Sequence, residues 1–290
     1  FIGQAVSGSQ PGAVWVKPLG IKMVQIILVG RGGDGGNGVI GALGAAAGGG
    51  GGGSGSMTIV TIPADLIPDK LFLSIPGSGS TAGSAAVVNI YPDALADSVL
   101  ARANSGGTGG NAAGNTAGIA GVSGAGLSGS NMPLGWGFMR VTAGQVGSAG
   151  GVSGVQGSNQ VGSNGILFSG GSGGAGIPTS AINGHAGGAV FTGNTMGFMY
   201  GLEASLGGQA ATSPPFDGKP GFKTAPTFFF CGGGGGGSTH GGATGAGLVQ
   251  SNGGDGAPGC GGGGTGAALT GSTPGIPGKG GPGFCIITCW

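Results

Sequence analysis

From Gly32 onward, glycine returns at every third residue: positions 32, 35, 38, 41 and 44, then, after Ala47, positions 50 and 53. This spacing constrains the fold more than any other feature. Glycine costs about 1 kcal/mol per residue in an α-helix relative to alanine, and 82 of the 290 residues are glycine. The one stretch where a helix is an option is residues 93–104. A period of three matches a polyproline II type helix, which has three residues per turn and no internal hydrogen bonds. One glycine per turn leaves one bare edge, along which neighbouring helices can approach and pair their backbone N–H and C=O groups. The expected packing edge comprises Gly32, Gly35, Gly38, Gly41 and Gly44, and later Gly253, Gly256, Gly259 and Gly262. Shorter threefold runs fall at Gly118, Gly121 and Gly124, at Gly144, Gly147 and Gly150, at Gly170, Gly173 and Gly176, and at Gly275, Gly278 and Gly281.

Collagen shares the period but needs an unbroken Gly-X-Y register and abundant proline. Here the register breaks every few triplets and only 16 residues are proline. A silk-like or elastomeric chain is disfavoured by well-formed strand patterns at both ends. The expectation is therefore an all-β chain with almost no α-helix. A small sheet or sandwich is formed by the N- and C-terminal strands, and glycine-rich insertions form many short packed helices of the polyglycine II kind.

The scaffold reads from Val14-Trp15-Val16, Ile21 to Val29, Met57 to Ile62, Lys70 to Ile75, Val87 to Tyr91 and the closing Phe284 to Trp290. Ile21 to Val29 is rich in β-branched residues, and Lys70 to Ile75 alternates Leu71, Leu73 and Ile75 on one face with Phe72 and Ser74 on the other. The near-continuous apolar run ending at Val29 predicts a strand buried on both faces. Trp15, Ile26, Leu28, Ile59, Leu71, Leu73, Ile286 and Trp290 are the expected core. The organisation read from composition is 1–104 as a β-rich scaffold carrying the first glycine insertion, 105–283 as the glycine-rich region, and 284–290 as a strand returning to the scaffold.

Composition narrows function. Nine basic and eight acidic residues give a net charge of +1, too few cations for the basic patch of a nucleic-acid binder. No apolar run reaches the 18 or so residues of a membrane-spanning helix; the best is Met23 to Val29. The chain starts at Phe1 rather than Met and shows no basic-then-apolar leader, so a fragment or processed product is expected. Matches to GxGxxG follow from the glycine content and lack a βαβ setting. Gly170-Gly171-Ser172-Gly173-Gly174 fits GxSxG without a surrounding strand–turn–helix. His185 and His240 lack partners at ligand spacing, and the pairs Asp65/Asp69 and Asp93/Asp97 are weak candidates for acid–base work. No catalytic residue, metal site or cofactor is expected. Cys231, Cys260, Cys285 and Cys289 allow three disulfide connectivities; buried, reduced thiols are the favoured reading. Isolated aromatics in longer connections, Trp136, Phe138, Phe198, Tyr200 and Phe216, are the candidate contact residues.

The opening Trp15-Val16-Lys17-Pro18-Leu19-Gly20 and the hydrophobic strand to Gly30 resemble the start of the glycine-rich domain of tailed-bacteriophage tail-fibre and other virion proteins. Thr61-Ile62-Pro63-Ala64 and Leu71-Phe72-Leu73-Ser74-Ile75-Pro76-Gly77 look like its next two strands, and Gly280 to Trp290 is similar to its closing strand. The resemblance implies a compact β-scaffold with glycine-rich insertions, and a relation to adhesins whose polyglycine II helices pack in layers and whose connecting loops bind the host receptor. On that footing the chain is expected to be a non-enzymatic virion structural protein, a tail-fibre or tail-tip component that contacts the host surface. Its expected location is the extracellular particle, after assembly in the host cytoplasm. The expected partners are copies of itself, with a trimer favoured, other virion proteins, and a host surface glycan or outer-membrane protein; neither nucleic acid nor membrane insertion is expected. The alternative is a purely architectural self-assembling protein, such as a capsid decoration or filament subunit, with no receptor.

Overall fold

Alternation decides the scaffold strands. The computed structural model describes residues 12–78, 85–91, 99–126, 137–161, 168–179, 184–191, 217–221, 223–224, 229–230, 232–238 and 248–290. Eight strands build two antiparallel sheets: β1 (Ala13–Val16), β2 (Met23–Val29), β3 (Met57–Pro63), β4 (Lys70–Ser74), β5 (Ala86–Asn89), β6 (Val99–Ala103), β7 (Phe138–Thr142) and β8 (Phe284–Cys289). One sheet has the order β1-β4-β5-β6 and the other β8-β2-β3-β7. The described residues contain no α-helix, only a single 3-10 turn at Ala64–Leu66, so the protein is all-β. Within the stretch where a helix was an option, Val99–Ala103 is a strand, because it supplies the edge that pairs with β5.

Val24, Ile26 and Leu28 of β2 point inward against Val60, Ile62, Leu71, Leu73, Val88 and Cys285, all fully buried. Burying one such side chain stabilises by roughly 1.5–3 kcal/mol. Trp15 is half-buried against this core. The expectation that β2 is buried on both faces needs correction: Met23, Gln25 and Ile27 are only half-buried, the other side of the pleat. Ile59 sits on that same outer face opposite Ile27 and is likewise only partly covered. Trp290 is not core either. It lies past the end of β8, its backbone tied to Met23, and its side chain is 56% exposed. Ile286 packs on a second cluster, Val29, Phe168, Ala257, Cys260 and Phe284. That cluster joins the sandwich to the glycine-rich body, with the Phe168 and Phe284 rings 5.9 Å apart.

The glycine runs grow out of the sandwich. Run 30–38 continues β2, 46–56 leads into β3, 104–112 continues β6, 143–151 continues β7, and 273–283 leads into β8. They are neither helix nor sheet, yet their backbones pair from run to run. In run 46–56, Gly49, Gly52 and Gly55 donate to Thr265, Gly262 and Gly259; Gly50, Gly53 and Ser56 to Gly110, Gly107 and Asn104; Gly48, Gly51 and Ser54 to Gly151, Ser148 and Gln145, all at 2.8–3.0 Å. The donor direction returns every third residue, the count of a three-residue turn. Carbonyls of the same run accept from 30–39, 118–124 and 171–177. Run 46–56 is therefore enclosed on six sides, by 30–39, 104–110, 118–124, 145–151, 171–177 and 259–265. Run 259–269 is enclosed in the same way by 33–39, 49–55, 169–175, 233–236, 254–257 and 278–282.

This enclosure explains where glycine falls. A Cβ on Gly48, Gly51 or Gly52 would lie closer than 3.0 Å to backbone of Gly174, Gly171 or Gly33. The enclosed run has glycine at six consecutive positions, 48–53. Runs nearer the surface, such as 32–38 and 106–110, keep two glycines in three and turn the third position outward. Runs 118–124 and 144–150, on the rim, keep one in three. Among the expected edge positions, Gly32, Gly35 and Gly38 face the backbone of 260–266. Gly253, Gly256 and Gly262 face Gly263, Cys260 and Gly278. Gly41, Gly44 and Gly259 do something else. Gly41 lies in a short bridge with Leu269, and Gly44 and Gly259 have φ of +74° and +78° at turns, a left-handed backbone that L side chains rarely adopt.

Candidate contact surface

Runs that start at the sandwich must reverse at their far ends. Described reversals there are residues 42–46, 112–116, 152–155 and 269–273, with 177–179 ending a further run. Gly44, Gly114, Gly154 and Gly271 take left-handed φ and make these turns tight. The turns are bonded into one surface. Gly44 N–H donates to Pro178 O (3.0 Å), Gly154 N–H to Ile177 O (2.7 Å), and Ala47 N–H to Gly114 O (3.0 Å). Ser153 N–H donates to the Asn115 carboxamide oxygen at 2.8 Å and Ser153 Oγ to Ile177 O at 3.1 Å. Ile40–Gly41 pairs with Ala268–Leu269. Beneath lies a small apolar plug of Ala46, Ile177, Ala267, Leu269 and Val39. Leu43, Val152 and Val155 stand above it, 38–49% exposed. None of the described turn residues is Asp, Glu, Lys or Arg, so this distal face is uncharged, built of small hydroxyl, amide and aliphatic groups.

The candidate contact aromatics are placed elsewhere. Phe138 does not lie in a connection. It opens strand β7 on the sandwich, 65% exposed, because its backbone pairs with Thr61 of β3. That puts it at the end of the molecule opposite the turns. Trp136, Phe198, Tyr200 and Phe216 lie outside the described residues, as do Cys231, His240, Asp93 and Asp97. The distal turns were not singled out as a contact surface in the sequence. Gly44, in register with Gly32, Gly35, Gly38 and Gly41 yet at a left-handed φ, shows that threefold spacing does not separate a turn glycine from a packing one.

The chemistry-bearing residues have structural roles. Ser172 of the GxSxG match is fully buried between runs, donating from Oγ to Gly188 O at 2.6 Å and accepting from Gly235 N–H at 2.8 Å. Arg31, fully buried, pairs with Asp34 at 2.6 Å, and the same carboxylate oxygen accepts Gly280 N–H at 2.7 Å. Other carboxylates and carboxamides close the rim of the glycine body. Asn111 accepts Asn37 N–H, Asn252 accepts Ile276 N–H, and Asp255 accepts Lys279 N–H. His185 exchanges bonds with Ser238. Cys260 and Cys285 are buried and Cys289 half-buried, and burial pushes the Cys285 thiol up to about 12. Among the described residues no group of three or more His, Cys, Asp or Glu is placed to hold a metal ion. Nor is any helix among the described residues long and apolar enough to cross a membrane. No protein-family model matches the chain, and no curated protein matches it.

Proposed function

We propose that the chain is a virion structural protein of a tailed bacteriophage, a tail-fibre or tail-tip component, and that it contacts the host surface through its distal turns without catalysis. The single observation that carries the reading is geometric. Turns from four separate reversals are held side by side at one end of a body whose enclosed glycine positions leave no room for a Cβ. Backbone hydrogen bonding fixes the body, so the turns can vary in sequence without disturbing it. Rigid presentation lowers the entropy lost on binding. The phage setting rests on the resemblance of the two chain ends to the glycine-rich domain of virion proteins.

Cell adsorption tests it. The labelled chain is applied to a panel of bacterial strains, beside a variant carrying Leu43→Asp, Asn115→Ala and Val155→Asp, and beside Phe138→Ala. Adsorption to at least one strain, lost in the triple variant and kept in Phe138→Ala, supports the reading. Adsorption that survives the turn variant but fails with Phe138→Ala moves the contact to the sandwich. No adsorption to any strain leaves the architectural alternative in its place.

A further inference from the structure

The glycine body has two unlike flanks. On one, most outward positions are polar, Asp34 and Asn37, Asn252 and Asp255, and Lys279, with Ile276 the aliphatic exception. On the other, formed by runs 118–124 and 143–152, the outward positions are aliphatic. Ile119 and Val122 are 73% and 68% exposed, Val146 and Val152 are 52% and 42% exposed, and Ala143 and Ala149 stand open between them. The two runs are neighbours, bonded by Gly144, Gly147 and Gly150 N–H to Gly124, Gly121 and Gly118. Residues 104–126 and 143–161 contain no Asp, Glu, Lys or Arg.

We propose that this aliphatic flank is the surface through which two copies of the chain associate. Charge selects the occupant first. A partner bearing charges would lose their hydration here and find no counter-charge, whereas the same neutral flank on a second copy costs nothing of that kind. Shape selects it next. The exposed side chains repeat every third residue, a ridge spacing of about 9.3 Å from the 3.1 Å rise of a three-residue turn. A two-fold axis brings an identical repeat opposite, so each ridge meets a groove of the same period. Size sets the strength. The uncovered aliphatic area is on the order of 500 Å² per copy, below the ~800 Å² per partner of a standard interface. That size suits a weak, reversible contact rather than an obligate one. The side chains of Ile119 and Val122 reach over Gly110 and Gly107 of the adjoining run. They keep a further glycine run from adding at backbone distance, so contact between copies is side chain to side chain.

Sedimentation velocity of the full chain between about 1 and 200 µM, the range around a micromolar Kd, tests this. The dimer fraction is expected to rise with concentration. Ile119→Asp with Val122→Asp is expected to weaken association at least tenfold. Ile276→Asp, equally exposed on the polar flank at 66%, is expected to leave it unchanged. Raising salt from about 0.05 to 0.5 M is expected not to weaken it, since no charges cross the interface. Val146→Asp, on the other ridge, is a second variant should the double one alter the circular dichroism spectrum. A chain that stays monomeric at every concentration overturns the proposal, whether another part of the chain or a different protein occupies the flank. So does association that salt abolishes, or that Ile276→Asp weakens while the flank variants do not.

Discussion

Replacing Gly52 by alanine tests whether the glycines are packing elements or flexible filler, because the two accounts differ in sign. If run 46–56 were loosely held, alanine would stabilise the protein by about 0.4–1 kcal/mol, by narrowing the unfolded ensemble. In the structure the new Cβ falls closer than 3.0 Å to the carbonyl of Gly33. Run 30–38 would have to retreat by about 1 Å to restore van der Waals distance. Such a retreat strains three bonds at once: Gly33 N–H to Gly53 O (2.8 Å), Gly36 N–H to Gly50 O (2.7 Å) and Gly262 N–H to Gly33 O (2.9 Å). Two or three interior bonds at about 1 kcal/mol each, or more where a group is left unpaired, give a loss of about 2–5 kcal/mol. Overpacking of a close-packed site costs a comparable 1–3 kcal/mol or so. Gly126→Ala is the control, because its Cβ would make ordinary contact with Val141 at 3.4 Å. Urea denaturation followed by circular dichroism reads both. Gly52→Ala should unfold at markedly lower denaturant, and Gly126→Ala should match or exceed the parent. If Gly52→Ala unfolds within about 0.5 kcal/mol of the parent, the spread expected of an ordinary surface change, the enclosed-run account is wrong.

Two further outcomes follow from buried side chains. Ser172→Ala removes the hydroxyl that accepts from Gly235 N–H and donates to Gly188 O. Gly235 N–H keeps its bond to Gly188 O at 2.9 Å, so a loss of about 0.5–1.5 kcal/mol is expected in the same denaturation assay. An unchanged midpoint would show that water or a neighbour takes over the bond. Cys285 should resist iodoacetamide in the native state at pH 8 and react on unfolding, because its thiol is raised to about 12 by burial. The sign for stability follows. The unfolded thiol loses its proton near the ordinary value of 9.0 while the folded one keeps it to about 12. Stabilisation is therefore complete below about pH 9 and declines as pH rises from there to about 12. A Cys285→Ala variant with the same alkaline decline would place its origin elsewhere.

Much of this was readable from residue order. The strands of the scaffold announce themselves by β-branched alternation, and the threefold glycine spacing points to chains paired through their backbones. What periodicity alone does not carry is depth. A single-glycine triplet and a triple-glycine triplet share one period, yet Gly118 sits in a rim run and Gly48–Gly53 in an enclosed one, because the glycine count per triplet reflects how many sides of a run are covered. Ile59 looked like core by residue type. Pleat parity, fixed by its pairing with Ile27, sends it to the outer face. Phe138 read as part of a loop because glycine and proline precede it. Its strand exists through pairing with β3, a contact distant in sequence. The distal turns went unmarked because serine, threonine and alanine carry no chemistry until the fold assembles them.

A β-sheet can be opened from its edge, one strand and one row of bonds at a time. Run 46–56 offers no such edge. Its bonds leave in six directions, to segments as far apart in the chain as Asn104 and Thr265, so no single neighbour can be peeled away to free it. Mechanical or thermal loosening has to begin at the rim and work inward, run by run. A break at the surface therefore leaves the centre intact, as a spoke wheel keeps its hub when one spoke is cut. Under proteolysis or shear, the outer runs would be lost well before the run on which the others close.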